Sequence, residues 1–178
     1  MPDALDELPN LQELPSTLPL FTAAGSLAQG DFAPSRLEFE GRFVNTGSLR
    51  RADIYAGLLD HRRALQDDGL SASSRQLLNG SFTTTKPEPG DIDLAVEVPL
   101  ASNQRPPRPD EPIGRLLLGP HMKLQFSCDA YPIYVLPSDH PHYQQVTLAS
   151  VRYWTKWFGR DRLGHPKGRV WANTGGLG

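Results

Sequence analysis

Asn79-Gly80-Ser81-Phe82-Thr83-Thr84-Thr85-Lys86-Pro87-Glu88-Pro89-Gly90-Asp91-Ile92-Asp93-Leu94 is the stretch on which the reading of this chain turns. The apolar pair Leu77-Leu78 runs into Gly80-Ser81, a polar loop of nine residues follows, and Asp91-Ile92-Asp93 opens the run Leu94-Ala95-Val96. Residues two apart on a strand share a face, so Asp91 and Asp93 are expected side by side at a strand start. Two crowded carboxylates repel unless something positive lies between them. Hard oxygen donors of this kind suit Mg²⁺ or Mn²⁺ held together with substrate phosphates. A Gly-Ser turn just upstream offers backbone N–H groups and a hydroxyl to such phosphates. The same residues also fit an ordinary loop, with Asp91 capping it and Asp93 solvated. Two acids flanked by apolar neighbours would be costly in a purely structural strand, which favours a site.

This layout of Gly80-Ser81, nine residues and Asp91-x-Asp93 resembles the signature of the DNA polymerase β-type nucleotidyltransferase superfamily over roughly residues 75 to 97. A looser resemblance, to a bacterial family of small nucleotidyltransferase-like proteins, covers most of the chain. It rests on Glu38-Phe39-Glu40-Gly41-Arg42-Phe43, the core from Gly80 to Leu94, and Arg162-Leu163-Gly164-His165-Pro166-Lys167-Gly168. The resemblance implies an α/β fold of the α+β kind: a minimal polymerase β-like domain, with a mixed sheet flanked by helices. It implies that Gly80 and Ser81 hold the phosphates of a nucleoside triphosphate and that Asp91 and Asp93 bind Mg²⁺ or Mn²⁺. A neighbouring strand supplies a third acid in that superfamily, and Asp129 is the candidate. The implied reaction moves a nucleoside monophosphate to a protein or RNA acceptor, in a setting such as a toxin–antitoxin or defence system with a cognate partner protein. The competing class is an inactive nucleotide- or RNA-binding module, or a regulator of a partner, on the same fold.

Composition agrees with one soluble domain. The 178 residues suffice for a single core, with 38% hydrophobic and 21% charged residues. Pro 17 and Gly 16 predict many loops. A net charge of -2 argues against coating nucleic acid by charge alone. Cys128, the single cysteine, allows no intramolecular disulfide, and a reducing cytoplasm is the expected location. Met1-Pro2-Asp3-Ala4-Leu5-Asp6-Glu7 lacks the plan of a signal peptide, and no apolar run reaches membrane-spanning length, so no membrane partner is expected.

Upstream of the central stretch, residues 1–35 read as an irregular Pro/Gly-rich arm that packs in places through Leu18, Leu20, Phe21 and Phe32. The nucleotidyltransferase-like domain is expected over 36–172 and a flexible tail over 173–178. Residues 36–44 predict a short helix or turn. The clearest helix is 49–68, between an N-cap at Ser48 and a stop at Gly69, with Ile54, Leu58, His61 and Leu65 at helical spacing. His61 is expected in the core edge, and Arg50, Arg51, Arg62 and Arg63 on a solvated face. A strand is expected around Arg75–Leu78. Lys86 could meet a phosphate as a point charge or simply point into water.

Downstream, Glu97 falls on the face of Asp91 and Asp93, about 13 Å along the strand from Asp93, too far to share a metal. Residues 99–114 predict a proline-rich connection. Residues 122–136 form the most strand-like run, with Pro132 marking a bulge or an edge. Asp129 inside it is either a metal ligand or an acid at a strand end, and a shared metal would give a buried aspartate its partner. Cys128 is expected to pack. Asp139-His140-Pro141-His142 reads as a turn before a helix over 143–158 whose aromatic stripe belongs to the core. Arg152, Lys156, Arg160, Arg162, Lys167 and Arg169 then face a single acid, Asp161. This run would receive a triphosphate, RNA or an acidic partner, or be a solvated face, with Arg162 and Lys167 the favoured contacts.

Overall fold

The computed structural model describes residues 4–176; Met1–Asp3 of the expected arm and Leu177–Gly178 of the expected tail lie outside the described residues. The arm contributes Leu11–Glu13, a 3-10 turn capped by Asn10, and then a short strand, β1 (Asp31–Phe32). Ser35 caps helix α1 (Arg36–Phe39), which runs on into a π-helical turn, Glu40–Val44. The long helix α2 (Leu49–Asp67) starts where Ser48 accepts the Arg51 N–H and stops before Gly69, whose φ of 98° few side chains tolerate. Strand β2 (Arg75–Asn79) follows, then the Gly80 turn, β3 (Ile92–Pro99), a loop-rich crossing and α3 (Lys123–Phe126). Strand β4 (Cys128–Val135), helix α4 (Ala149–Phe158) and β5 (Arg169–Asn173) complete the chain.

The five strands form one mixed sheet in the order β1-β5-β2-β3-β4. β2 runs antiparallel to both neighbours, whereas β1 pairs with β5 and β3 with β4 in parallel. The fold is therefore α+β with a mixed sheet flanked by helices, as expected. β4 is an edge strand, which accommodates Pro132 and its missing donor. Side-chain alternation divides the core in two. On one face Leu78, Leu94, Val96, Cys128, Ala130 and Val170 pack under α2 through Ile54, Leu58 and Leu65. On the other, Leu77, Ala95, Ile133 and Trp171 meet Val151 and Phe158 of α4 and Leu5, Leu8, Leu11 and Leu14 of the arm. The arm thus wraps the sheet. Arg75 clamps it there, pairing with Glu97 at 2.6 Å and donating to the carbonyls of Leu8 and Pro9. Leu18 is buried and Phe21 and Phe32 are half-buried, while Leu20 is exposed.

The helical arginines differ from expectation. Arg50 and Arg63 are exposed or nearly so, but Arg51 and Arg62 are buried. Arg51 points back under the central loop and donates to the carbonyls of Phe43, Phe82, Thr84 and Lys86 at 2.6–2.9 Å. Arg62 donates to Gln76 beneath the sheet. A loop's free carbonyls need donors, and this long side chain reaches them from the helix. Residues 123–126 are helical rather than extended; Lys, Leu and Gln favour helix, and Ser127 breaks the turn with φ 53° before β4 begins. β5, which the sequence reading placed in a basic tail, lies inside the sheet. Asn173 ends that strand, and Thr174 is buried on the carbonyl of Ser74, so the chain is held up to that point.

Candidate functional site

Register assembles the site. β3 and β4 pair in parallel with Asp93 opposite Asp129, and β2 pairs with β3 so that Asn79 lies opposite Asp93. Asp91 precedes β3 by one residue, so Asp91, Asp93 and Asp129 project from the same face at the same end of neighbouring strands. The three acids singled out in the sequence are brought together.

The turn after β2 is shaped around Asp93. Gly80 holds φ 84°, and its N–H donates to its neighbour, the Asn79 side chain, at 2.7 Å. A Cβ on Gly80 would lie 1.9 Å from Asp93 Oδ2, so no side chain fits. Asn79 is itself fixed by donating to the carbonyl of Phe158 at 2.8 Å. Ser81 opens a short 3-10 turn, and its hydroxyl has no hydrogen-bond partner among the described residues.

Lys167 comes to the same corner. The hairpin of residues 160–166, built on Asp161 accepting from the N–H groups of Leu163 and His165, returns the chain so that Lys167 Nζ donates to the Gly80 carbonyl at 2.6 Å. Burial lowers its ammonium to about 8, while the charges of Asp93 and Asp161 oppose the shift. Arg162, its favoured companion, is exposed on the hairpin. Lys86 is also exposed; its carbonyl is held by Arg51, and its ammonium pairs with none of the three carboxylates. The basic run is largely spoken for by other contacts: Arg169 pairs with Asp31 at 2.6 Å, Arg152 with Asp6, and Arg160 donates to Gly164.

Lys123 is the residue the sequence reading missed. From the first turn of α3 its Nζ lies 2.7 Å from Asp91 Oδ2 and 3.3 Å from Asp129 Oδ1, a cation between two carboxylates. The longer contact lacks hydrogen-bond alignment, and Asp129 Oδ1 is buried without a hydrogen-bond partner. The only signal was a lysine six residues before a candidate acid, hidden by the strand-like run around it.

Electrostatics follow the geometry. Burial, then the charges of Asp91 and Asp129, push the Asp93 carboxyl up to about 6, against the pull of Lys167 and Lys123. Burial and Asp91 also raise Asp129, while Lys123 draws it down. Cys128, facing the α2 core, is raised to about 12 by burial first and the acids second, so its thiol is inert at neutral pH. His61 is fully buried, lowered to about 4 by burial, and donates to or accepts from nothing in the acid corner.

Among the described residues no three His, Cys, Asp or Glu side chains are gathered as a ready-made metal cage. The donor chemistry nevertheless fits a hard divalent cation: three carboxylates, one with an orphaned buried oxygen, already attract a positive charge. No helix of the described residues is long and apolar enough to cross a membrane. Residues 19–173 match the model of a family of unknown function (DUF6932), and the chain belongs to that family. No curated protein and no solved structure matches it.

Proposed function

We propose that this member of the DUF6932 family is a Mg²⁺- or Mn²⁺-dependent nucleotidyltransferase of the polymerase β type, moving a nucleoside monophosphate from a nucleoside triphosphate to a protein or RNA acceptor. The observation that carries the reading is the pairing of Asp93 with Asp129, beside Asp91 and against a glycine turn with no room for a side chain.

Asp91, Asp93 and Asp129 are the residues that would hold the cation. Once bound, it would neutralise phosphate charge and lower the pKa of an attacking hydroxyl. The protein's own groups do the rest. Ser81 offers a free hydroxyl at the turn, and Lys167 places a positive charge beneath it, both suited to phosphate oxygens. Lys123, nearly half exposed at 46%, can leave the carboxylates and follow the triphosphate as a mobile point charge. In the transfer, an acceptor oxygen bonds to the α-phosphorus as the bond to the β-phosphate breaks. Pyrophosphate leaves, and the hydroxyl proton passes to solvent. No histidine is required. A cognate partner protein, a toxin–antitoxin or defence role and a cytoplasmic location remain attached to the resemblance.

One observation favours the second class, a nucleotide- or RNA-binding module without turnover: Lys123 Nζ lies 2.7 Å from Asp91 Oδ2, so the chain itself supplies a cation to one of the three carboxylates. The two are separated by incubating the full chain with each triphosphate labelled at the α-phosphate, Mg²⁺ or Mn²⁺, and a cell lysate. Label passed to protein or RNA by the wild type and not by Asp91→Asn or Asp93→Asn supports transfer. Nucleotide and metal binding without label transfer supports the module, and neither binding nor transfer removes both.

A further inference from the structure

Helix α4 carries two ridges that the core does not use. Val151, Thr155 and Phe158 face inward, and the opposite side exposes Arg152, Tyr153, Lys156 and Trp157. Residues four apart on a helix align, so Arg152 and Lys156 form a cationic ridge beside an aromatic ridge of Tyr153 and Trp157, with Arg160 following two residues past the helix end. Tyr153 and Trp157 are 56% and 65% exposed, with rings 6.2 Å apart and only 8° from parallel. The aromatic row continues inward: Tyr153 meets Trp154 edge-on at 4.9 Å, and Trp154 lies against Tyr131 at 4.5 Å with the rings tilted by 31°. Tyr131 shares the face of Asp129, two residues along β4, and the Trp154 N–H is fixed on the Pro132 carbonyl. The row therefore leads from solvent to the carboxylates.

We propose that this face of α4 binds an unpaired nucleic-acid strand and leads its end towards Asp91, Asp93 and Asp129; the direction of the strand rests on the transfer reading, the binding does not. Charge complementarity identifies the occupant. No acid occurs from Tyr143 to Arg160, although the chain carries net -2, so the positive charge is local to this helix. Flat π-faces flanked by cations are what stacked bases and a phosphate backbone require. The ion pair of Arg152 with Asp6 is exposed and gives way readily to phosphate.

The test is fluorescence anisotropy with the full chain and a labelled short single-stranded RNA, then the same DNA, without nucleotide or divalent cation. Binding is expected to weaken steadily with salt. Trp157→Ala is expected to lose about tenfold in affinity, and Trp157→Phe to keep most of it. Asp93→Asn should bind as the wild type does, so a failed transfer experiment leaves this result standing. Trp157 is exposed, so an unchanged melting curve will show that its variants fold, and a cooperative melt with unchanged far-ultraviolet circular dichroism will show that Asp93→Asn does. No binding at low salt, or binding indifferent to Trp157→Ala, overturns the proposal. So does self-association that Trp157→Ala abolishes, which would give the face to a second copy of the chain. Preference for RNA over DNA would name the acceptor; equal binding supports the surface without naming it.

Discussion

Replacing Lys123 by alanine should weaken the metal-free protein and strengthen its hold on a divalent cation. The ammonium contacts Asp91 at 2.7 Å and Asp129 at 3.3 Å, and these carboxylates are only 19% and 11% exposed. With an effective dielectric of about 20, each contact carries roughly 5 kcal/mol of gross attraction. The half-exposed lysine is screened by water and loses freedom, so each pair keeps about 0.2–1 kcal/mol net. Two pairs, with the mutual repulsion of the acids restored, make the loss about 1–2 kcal/mol. For a chain of this size that lowers Tm by about 3–6 °C. Added Mg²⁺ reverses the order: the wild type must release the lysine before the cation enters, and the variant need not. The variant should therefore bind Mg²⁺ about 5–30-fold more tightly, the same free energy expressed as affinity. Melting curves against Mg²⁺ concentration read both quantities. Equal Mg²⁺-induced shifts in the two proteins, or none in either, would refute the idea that the lysine and a cation compete for one place.

The Asp93 carboxyl, raised from 3.8 to about 6, binds its proton more tightly folded than unfolded. Metal-free stability should therefore fall as pH rises from about 4 to 6, by about 3 kcal/mol in isolation, and Asp93→Asn should be the more stable protein above that range. Urea unfolding across pH tests this, and a variant less stable than wild type at pH 7 would contradict it. Arg51→Met strips charged donors from four carbonyls and should cost about 3 kcal/mol or more, loosening residues 82–86. Hydrogen exchange in that loop unchanged from wild type would oppose it. Gly80→Ala forces a Cβ onto Asp93 and adds about 1–2 kcal/mol of backbone strain. Mn²⁺ affinity should drop while the far-ultraviolet circular dichroism is kept, and full affinity would show that Asp93 is not needed in its present position.

What could be read from residues alone was local. Ser48 and Gly69 mark α2 because capping and a positive φ are written into one or two side chains. Asp91 and Asp93 share a face because strand alternation has a fixed period. Asp129 was picked out as the third acid, but its place opposite Asp93 is a matter of register between strands separated by a crossing of more than twenty residues. Burial of the arginines was only half legible. Arg51 continues the apolar stripe, three residues before Ile54 and seven before Leu58, but a long cation there reads as solvated until its partners are known, and these are backbone carbonyls of a loop some thirty residues away. Arg169 resembled part of a basic tail, yet Asp31 from the arm pairs with it and also accepts the Trp171 N–H, allowing β5 to enter the sheet. Lys123 could not be assigned because a helical turn in front of β4 decides where it points.

Counting bound Mn²⁺ by electron paramagnetic resonance, with and without a nucleoside triphosphate, tests the central claim most directly. The wild type should take up Mn²⁺, more tightly once the triphosphate is present. Asp93→Asn should lose that binding while its metal-free fold is kept. Mn²⁺ uptake that survives Asp93→Asn unchanged, or no uptake by the wild type with the triphosphate present, would contradict a cation and nucleotide site at Asp91, Asp93 and Asp129.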